Sequence, residues 1–164
     1  MALRTIRIQG DPVLTKVCRP IPEVTDRIRT LAEDMLETMY DAYGVGLAAP
    51  QVGMLKRIVV IDIGDENGPY VLINPVIKET SGEQTGEEGC LSVPGKSGVV
   101  TRPNVVTVEA LDINMEPFIL KSGISIAANM REAFKSAHLL QLGFNRVQVL
   151  IDAPVLMIPT EKFN

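Results

Sequence analysis

Two short stretches of the chain hold the residue types from which a hydrolytic site can be made. In Glu88-Gly89-Cys90-Leu91-Ser92 a single cysteine stands in a glycine turn. A Cys90 thiolate can bind a metal ion, and the main-chain N–H of Leu91 beside it can donate to an oxyanion forming on a substrate carbonyl. In Gly44-Val45-Gly46-Leu47-Ala48-Ala49-Pro50-Gln51, two glycines let a ligand approach the backbone, two alanines leave room, and the Gln51 carboxamide both donates and accepts. Taken singly, each stretch also reads more plainly. Cys90 alone is a small buried residue, and the glycine stretch alone is a helix end followed by a surface glutamine. A metal on Cys90 asks for two or three further donors, whereas the chain has one histidine, His138, and one other cysteine, Cys18.

The elements around these stretches can be read from periodicity. Ile28, Leu31, Ala32, Met35 and Met39 recur at helical spacing, which predicts an amphipathic helix over 25–42, capped by Thr25 or Asp26 and ended by Gly44. From Arg57 a β-branched run, Ile58-Val59-Val60-Ile61-Asp62-Ile63, predicts a strand, stopped by the turn residues 64–68 and followed by a return strand over 70–74. Further strands are expected at 76–80, 99–100 and 105–111, with Pro75, Pro94 and Pro103 punctuating the segments between them. Ile126, Met130, Ala133, Phe134, Ala137 and Leu140 predict a second helix ended by Gly143, and two apolar strands, 147–151 and 155–158, close the chain. The expected fold class is α+β, with short, mostly antiparallel strands packed around a long C-terminal helix and an N-terminal helix beside them.

Composition narrows the function classes. With 164 residues, 46% hydrophobic and 22% charged, and a formal net charge of -4, the chain reads as one soluble globular domain. The absence of a Lys/Arg cluster argues against a nucleic-acid partner. No apolar run approaches the roughly 20 residues that span a bilayer, and no signal-peptide core stands at the N-terminus, so no membrane association and a cytoplasmic location are expected. Two cysteines make no disulfide framework and read as reduced thiols.

Together the two stretches resemble a family. Gly-x-Gly-x-Ala-Ala-x-Gln followed some forty residues later by Glu-Gly-Cys-x-Ser is similar to the first two signature motifs of peptide deformylases, and the resemblance covers about residues 1–120, Arg102-Pro103 included. It implies a metallohydrolase that removes the N-formyl group from N-formylmethionyl peptides, using Fe2+, with Zn2+ or Ni2+ as substitutes. By resemblance, Cys90 is a metal ligand, Gln51 and the Leu91 main chain stabilise the oxyanion, Val45 and Gly46 contact the substrate backbone, and Glu88 pairs with Arg102 to brace the cysteine loop.

The family's third motif, H-E-x-x-H on the C-terminal helix, supplies two metal-binding histidines and a proton-moving glutamate. Here the corresponding helix reads Phe134-Lys135-Ser136-Ala137-His138. With His138 in the second histidine position, Phe134 replaces the first and Lys135 replaces the glutamate. Residues 121–164 depart from the family and form a divergent or foreign C-terminal segment of the single domain. Impaired or absent catalysis is therefore expected, with no cofactor as an open outcome. Three other readings stay open: a non-catalytic peptide-binding member of the same architecture, a thiol enzyme using Cys90 and His138, and a purely structural domain. Oligomeric state has no signal in the sequence.

Overall fold

The computed structural model describes residues 2–122, without the side chains of residues 87, 88, 100, 102 and 122. The expected C-terminal helix and the two closing strands, and with them Phe134, Lys135 and His138, lie outside the described residues.

The predicted first helix is present as α1 (Asp26–Asp41), with Thr25 at its N-cap in extended conformation. Its buried positions, Ile28, Leu31, Ala32, Met35 and Met39, are those of the predicted apolar stripe. Its end differs in detail from the expectation. The left-handed residue is Tyr43, at φ 54, while the Gly44 N–H donates to the Met39 carbonyl at 2.8 Å. Gly44 is needed for a close packing contact, described below, rather than for its left-handed freedom.

Among the described residues seven strands follow: β1 (Gly46–Ala48), β2 (Ile58–Ile61), β3 (Tyr70–Ser81), β4 (Gln84–Cys90), β5 (Val93–Arg102), β6 (Val105–Leu111) and β7 (Pro117–Ser122). Five of them form an antiparallel sheet in the order β1-β2-β3-β6-β7, and β4 and β5 pair as a separate antiparallel hairpin. The antiparallel architecture thus agrees with the expectation.

The two strands expected on either side of Pro75 are one. The register shifts between Ile73 and Val76, and this bulge absorbs both Asn74, at φ 51, and the proline, which has no N–H to offer a ladder. Asn74 compensates with its side chain. Its Oδ1 accepts from the Ile21 N–H at 2.8 Å and its Nδ2 donates to the Ile21 carbonyl at 2.7 Å. Pro94 likewise lies inside a strand, in the irregular stretch between the Cys90↔Val93 and Gly89↔Ser97 pairs.

Strand β2 is buried at all of its positions. Ile58 and Val60 join α1 in one buried cluster, while Val59 and Ile61 join Leu72, Val106 and Val108 in another. A strand covered on both faces must be apolar at every position, which explains the uninterrupted β-branched run. Burying each of these side chains contributes about 1.5–3 kcal/mol.

The N-terminal segment ties the helix to the rest. The Ala2 N–H donates to Asp34 Oδ1 at 2.7 Å, the Arg4 N–H donates to Thr38 Oγ1 at 2.9 Å, and the Arg4 guanidinium lies 2.9 Å from Asp34 Oδ2. The Ala2 N–H, and then Arg4, hold the Asp34 carboxyl below its ordinary range, against the opposing effect of burial. A depressed carboxyl contributes stability that is complete above about pH 4 and is lost as pH falls through the folded-state value. Asp34→Asn is expected to lower stability at pH 7 by about 1–3 kcal/mol, with the difference shrinking below about pH 4. Denaturant midpoints of the two proteins across pH 2.5–7 check this, and a difference that does not change with pH would contradict it.

Candidate functional site

Gln51 is presented by a 3-10 turn, Ala49–Val52. Pro50 suits the first turn because its missing N–H would have no partner there, and Gly53, at φ 81, closes the turn in the left-handed conformation. A side chain at Gly53 would also approach Arg7 Nε to 3.1 Å. As the third residue of the turn, Gln51 reaches back so that the Ala48 N–H donates to its Oε1 at 3.0 Å. The residue is 3% exposed, so the plain reading of a surface glutamine does not hold.

The second stretch is the apex of the β4–β5 hairpin. Cys90 ends β4 opposite Val93, and Leu91 and Ser92 form the two-residue turn between them. The apex folds onto the Gln51 turn. Gln51 Nε2 donates to Ser92 Oγ at 3.1 Å and lies 3.8 Å from Cys90 Sγ, and Ser92 is 1% exposed. Leu91 packs toward the α1 cluster, and a Cβ placed on Gly44 would stand 2.6 Å from Leu91 Cδ1. The first glycine of one stretch thus makes room for the residue after the cysteine of the other.

Val45 and Gly46 complete this face. Gly46 begins β1, the edge strand of the large sheet, and pairs with Ile61 on one side. Asp62 anchors the entry to that strand. Its N–H donates to the Val45 carbonyl at 3.0 Å, and its Oδ2 accepts from the Tyr40 hydroxyl at 2.6 Å. Partial burial and the Asp62 carboxylate push the Tyr40 phenol up to about 12. Two further bonds hold the paired loops from outside: the Arg7 N–H donates to the Gln51 carbonyl and the Gln9 N–H to the Ser92 carbonyl, both at 2.7 Å.

The structure therefore brings together Gln51, Cys90, Leu91, Val45 and Gly46 from the expected set. Glu88 stands opposite Gly98 in the hairpin register and Arg102 opposite Gln84. Their side chains, and His138, lie outside the described set. Ser92, Asp62 and the segment 7–9 were not anticipated. A small polar residue closing the cysteine stretch, and an aspartate in the middle of a β-branched run, were the available signals for the first two. Main-chain donors leave no such signal.

Cys90 and Cys18 are both free thiols. Among the described residues no three His, Cys, Asp or Glu side chains are grouped to hold a metal ion. One thiolate does not satisfy a tetrahedral site that needs three or four donors, so the described residues do not by themselves fit a metal centre. What the described residues do set beside the cysteine is a buried carboxamide, with Gln51 Nε2 3.8 Å from Cys90 Sγ, and the main chain of the turn at Leu91.

The family model described as polypeptide deformylase matches residues 3–133. A peptide deformylase of Agathobacter rectalis is 67% identical over 118 residues, covering 72% of this chain and 73% of the relative. One of Lachnoclostridium phytofermentans is 65% identical over 119 residues, covering 72% and 73%. Among solved structures, a peptide deformylase from Legionella pneumophila superposes with a TM-score of 0.73 at 44% identity, covering 79% of this chain and 78% of that one. One from Ehrlichia chaffeensis in complex with actinonin gives 0.73 at 35% identity, covering 89% and 88%.

Gly44→Ala is expected to displace the Leu91 side chain and destabilise the fold by about 1–3 kcal/mol, the usual cost of overpacking. The Leu91 methyl resonances and the thermal midpoint report it. Unchanged methyl shifts with an unchanged midpoint would show that the two loops are not in contact.

Proposed function

The chain belongs to the peptide deformylase family, and on that premise we propose that it keeps the family's site for N-formylmethionyl peptides while its metal-dependent turnover is strongly reduced. Peptide deformylases are metalloenzymes that hydrolyse the formamide bond, releasing formate and a free amine. The observation that carries the retained site is the approach of Gln51 Nε2 to 3.8 Å from Cys90 Sγ, which closes two stretches 39 residues apart into one face. In this reading an extended peptide adds to the β1 edge at Val45 and Gly46. Its formyl oxygen lies between the Gln51 carboxamide and the Leu91 N–H, donors placed where negative charge would develop. Glu88 and Arg102 brace the cysteine loop.

Reduced turnover follows from the donor set. The iron, zinc or nickel that such chemistry uses generates a nucleophilic water near neutral pH. Cys90 offers one thiolate toward it, and His138 is the one histidine in the chain. At the other two positions of the third motif, Phe134 has no donor atom and Lys135 brings a positive charge in place of a proton-accepting carboxylate. A cytoplasmic location accords with a substrate that arises on new polypeptides.

The test has two arms. An N-formylmethionyl tripeptide is expected to bind in calorimetry, while formate release runs about 10²–10⁴-fold below that of a relative with an intact third motif, the range associated with losing a general base. Metal analysis of protein purified without air is expected to find well under one equivalent of iron, nickel or zinc. A full equivalent of metal with chelator-sensitive turnover would overturn the loss of function, and absence of peptide binding would overturn the retained site.

A further inference from the structure

We propose that Ser92 is a positioning residue of this site, whose hydroxyl sets the rotation of the Gln51 carboxamide so that one of its N–H bonds remains aimed toward Cys90. The proposal rests on the reading above, in which Gln51 donates to the formyl oxygen. A carboxamide has one acceptor oxygen and two N–H bonds that diverge in its plane. The Ala48 N–H, 3.0 Å from Oε1, decides which end is which, because the flipped amide would set two donors against each other. That bond alone leaves the group free to turn. Ser92 Oγ, 3.1 Å from Nε2, takes one N–H and removes this freedom, which directs the other to the Cys90 side.

Burial makes the hydroxyl hard to replace. Ser92 is 1% exposed and Gln51 3% exposed, so loss of the hydroxyl leaves an N–H without that partner and no solvent shell to replace it. The partners are also held from behind. Main-chain N–H groups two residues apart, at Arg7 and Gln9, donate to the carbonyls of Gln51 and Ser92 respectively. The Oγ to Nε2 separation therefore reflects two clamped backbones rather than two mobile side chains.

The role is tested on the Gln51 side-chain amide in ¹⁵N-labelled protein, assigned by its disappearance in Gln51→Glu. In the wild type its two protons are expected to be well separated and protected. In Ser92→Ala they are expected to converge on the values of an exposed glutamine and exchange at least about tenfold faster, and Ser92→Thr, which keeps the hydroxyl, is expected to restore them. Affinity for an N-formylmethionyl tripeptide is expected to fall about fivefold in Ser92→Ala, the size of one lost hydrogen bond, with no further fall in a Gln51→Ala background. Unchanged Gln51 resonances in Ser92→Ala, or a full additional loss of affinity in the Gln51→Ala background, would overturn the role. A wild type that binds no peptide would overturn the functional reading alone, since the amide resonances decide the role of Ser92 without a ligand.

Discussion

A buried carboxamide must find partners inside the protein, because each polar group left unpaired away from water costs about 1–3 kcal/mol. Gln51 meets that demand in two places far apart in the chain: its own turn, through the Ala48 N–H, and the hairpin apex 41 residues on, through Ser92. The surrounding features are what this pairing requires. The 3-10 turn throws the side chain back on itself, and the two-residue turn at Leu91 and Ser92 brings a hydroxyl to its amide. The bare Cα of Gly44 leaves space for the side chain of Leu91 in that apex.

The larger fold supplies the platform. Strand β2 is buried on both faces: Ile58 and Val60 share a cluster with α1, and Val59 and Ile61 share one with Leu72 of β3 and Val106 and Val108 of β6. Just past its last residue, Asp62 joins three elements at one point: the carbonyl of Val45, the hydroxyl of Tyr40 on α1, and the N–H of Gly64 in the following turn. The edge that would receive an extended peptide is thereby fixed to the helix that ends just before it. Hydrophobic burial sets where these pieces stand, and a few directional bonds set how they face.

What was legible in the sequence tracked how local the cause was. Helix α1 and strands β2 and β6 were readable, since the helical stripe of α1, the unbroken apolar run of β2 and the alternation of β6 are imprints of the faces they bury. Strand β4 was not. Gln84-Thr85-Gly86-Glu87-Glu88-Gly89-Cys90 has little β-branched content, and it is extended because β5 offers it a partner along its whole length. Pro75 suggested a break where a bulge and the Asn74 side chain let β3 continue. At the site, residue types marked Gln51 and Cys90, and their joint spacing pointed to the family. The Ser92 contact, the Leu91 to Gly44 packing and the main-chain bonds to the loops were hidden, because each depends on a distance across the fold.

In the N-terminal segment, length constrains more than identity does. Its N–H groups at Ala2 and Arg4 serve the helix side chains, and those at Arg7 and Gln9 serve the two site loops. The donors of the segment thus divide between two sets of partners, with the change between Arg4 and Arg7. Because the bonds to the loops come from the main chain, proline is the residue that would remove one at position 7 or 9. The spacing has less latitude: removing one residue between 4 and 7 would shift one pair of donors relative to its acceptors.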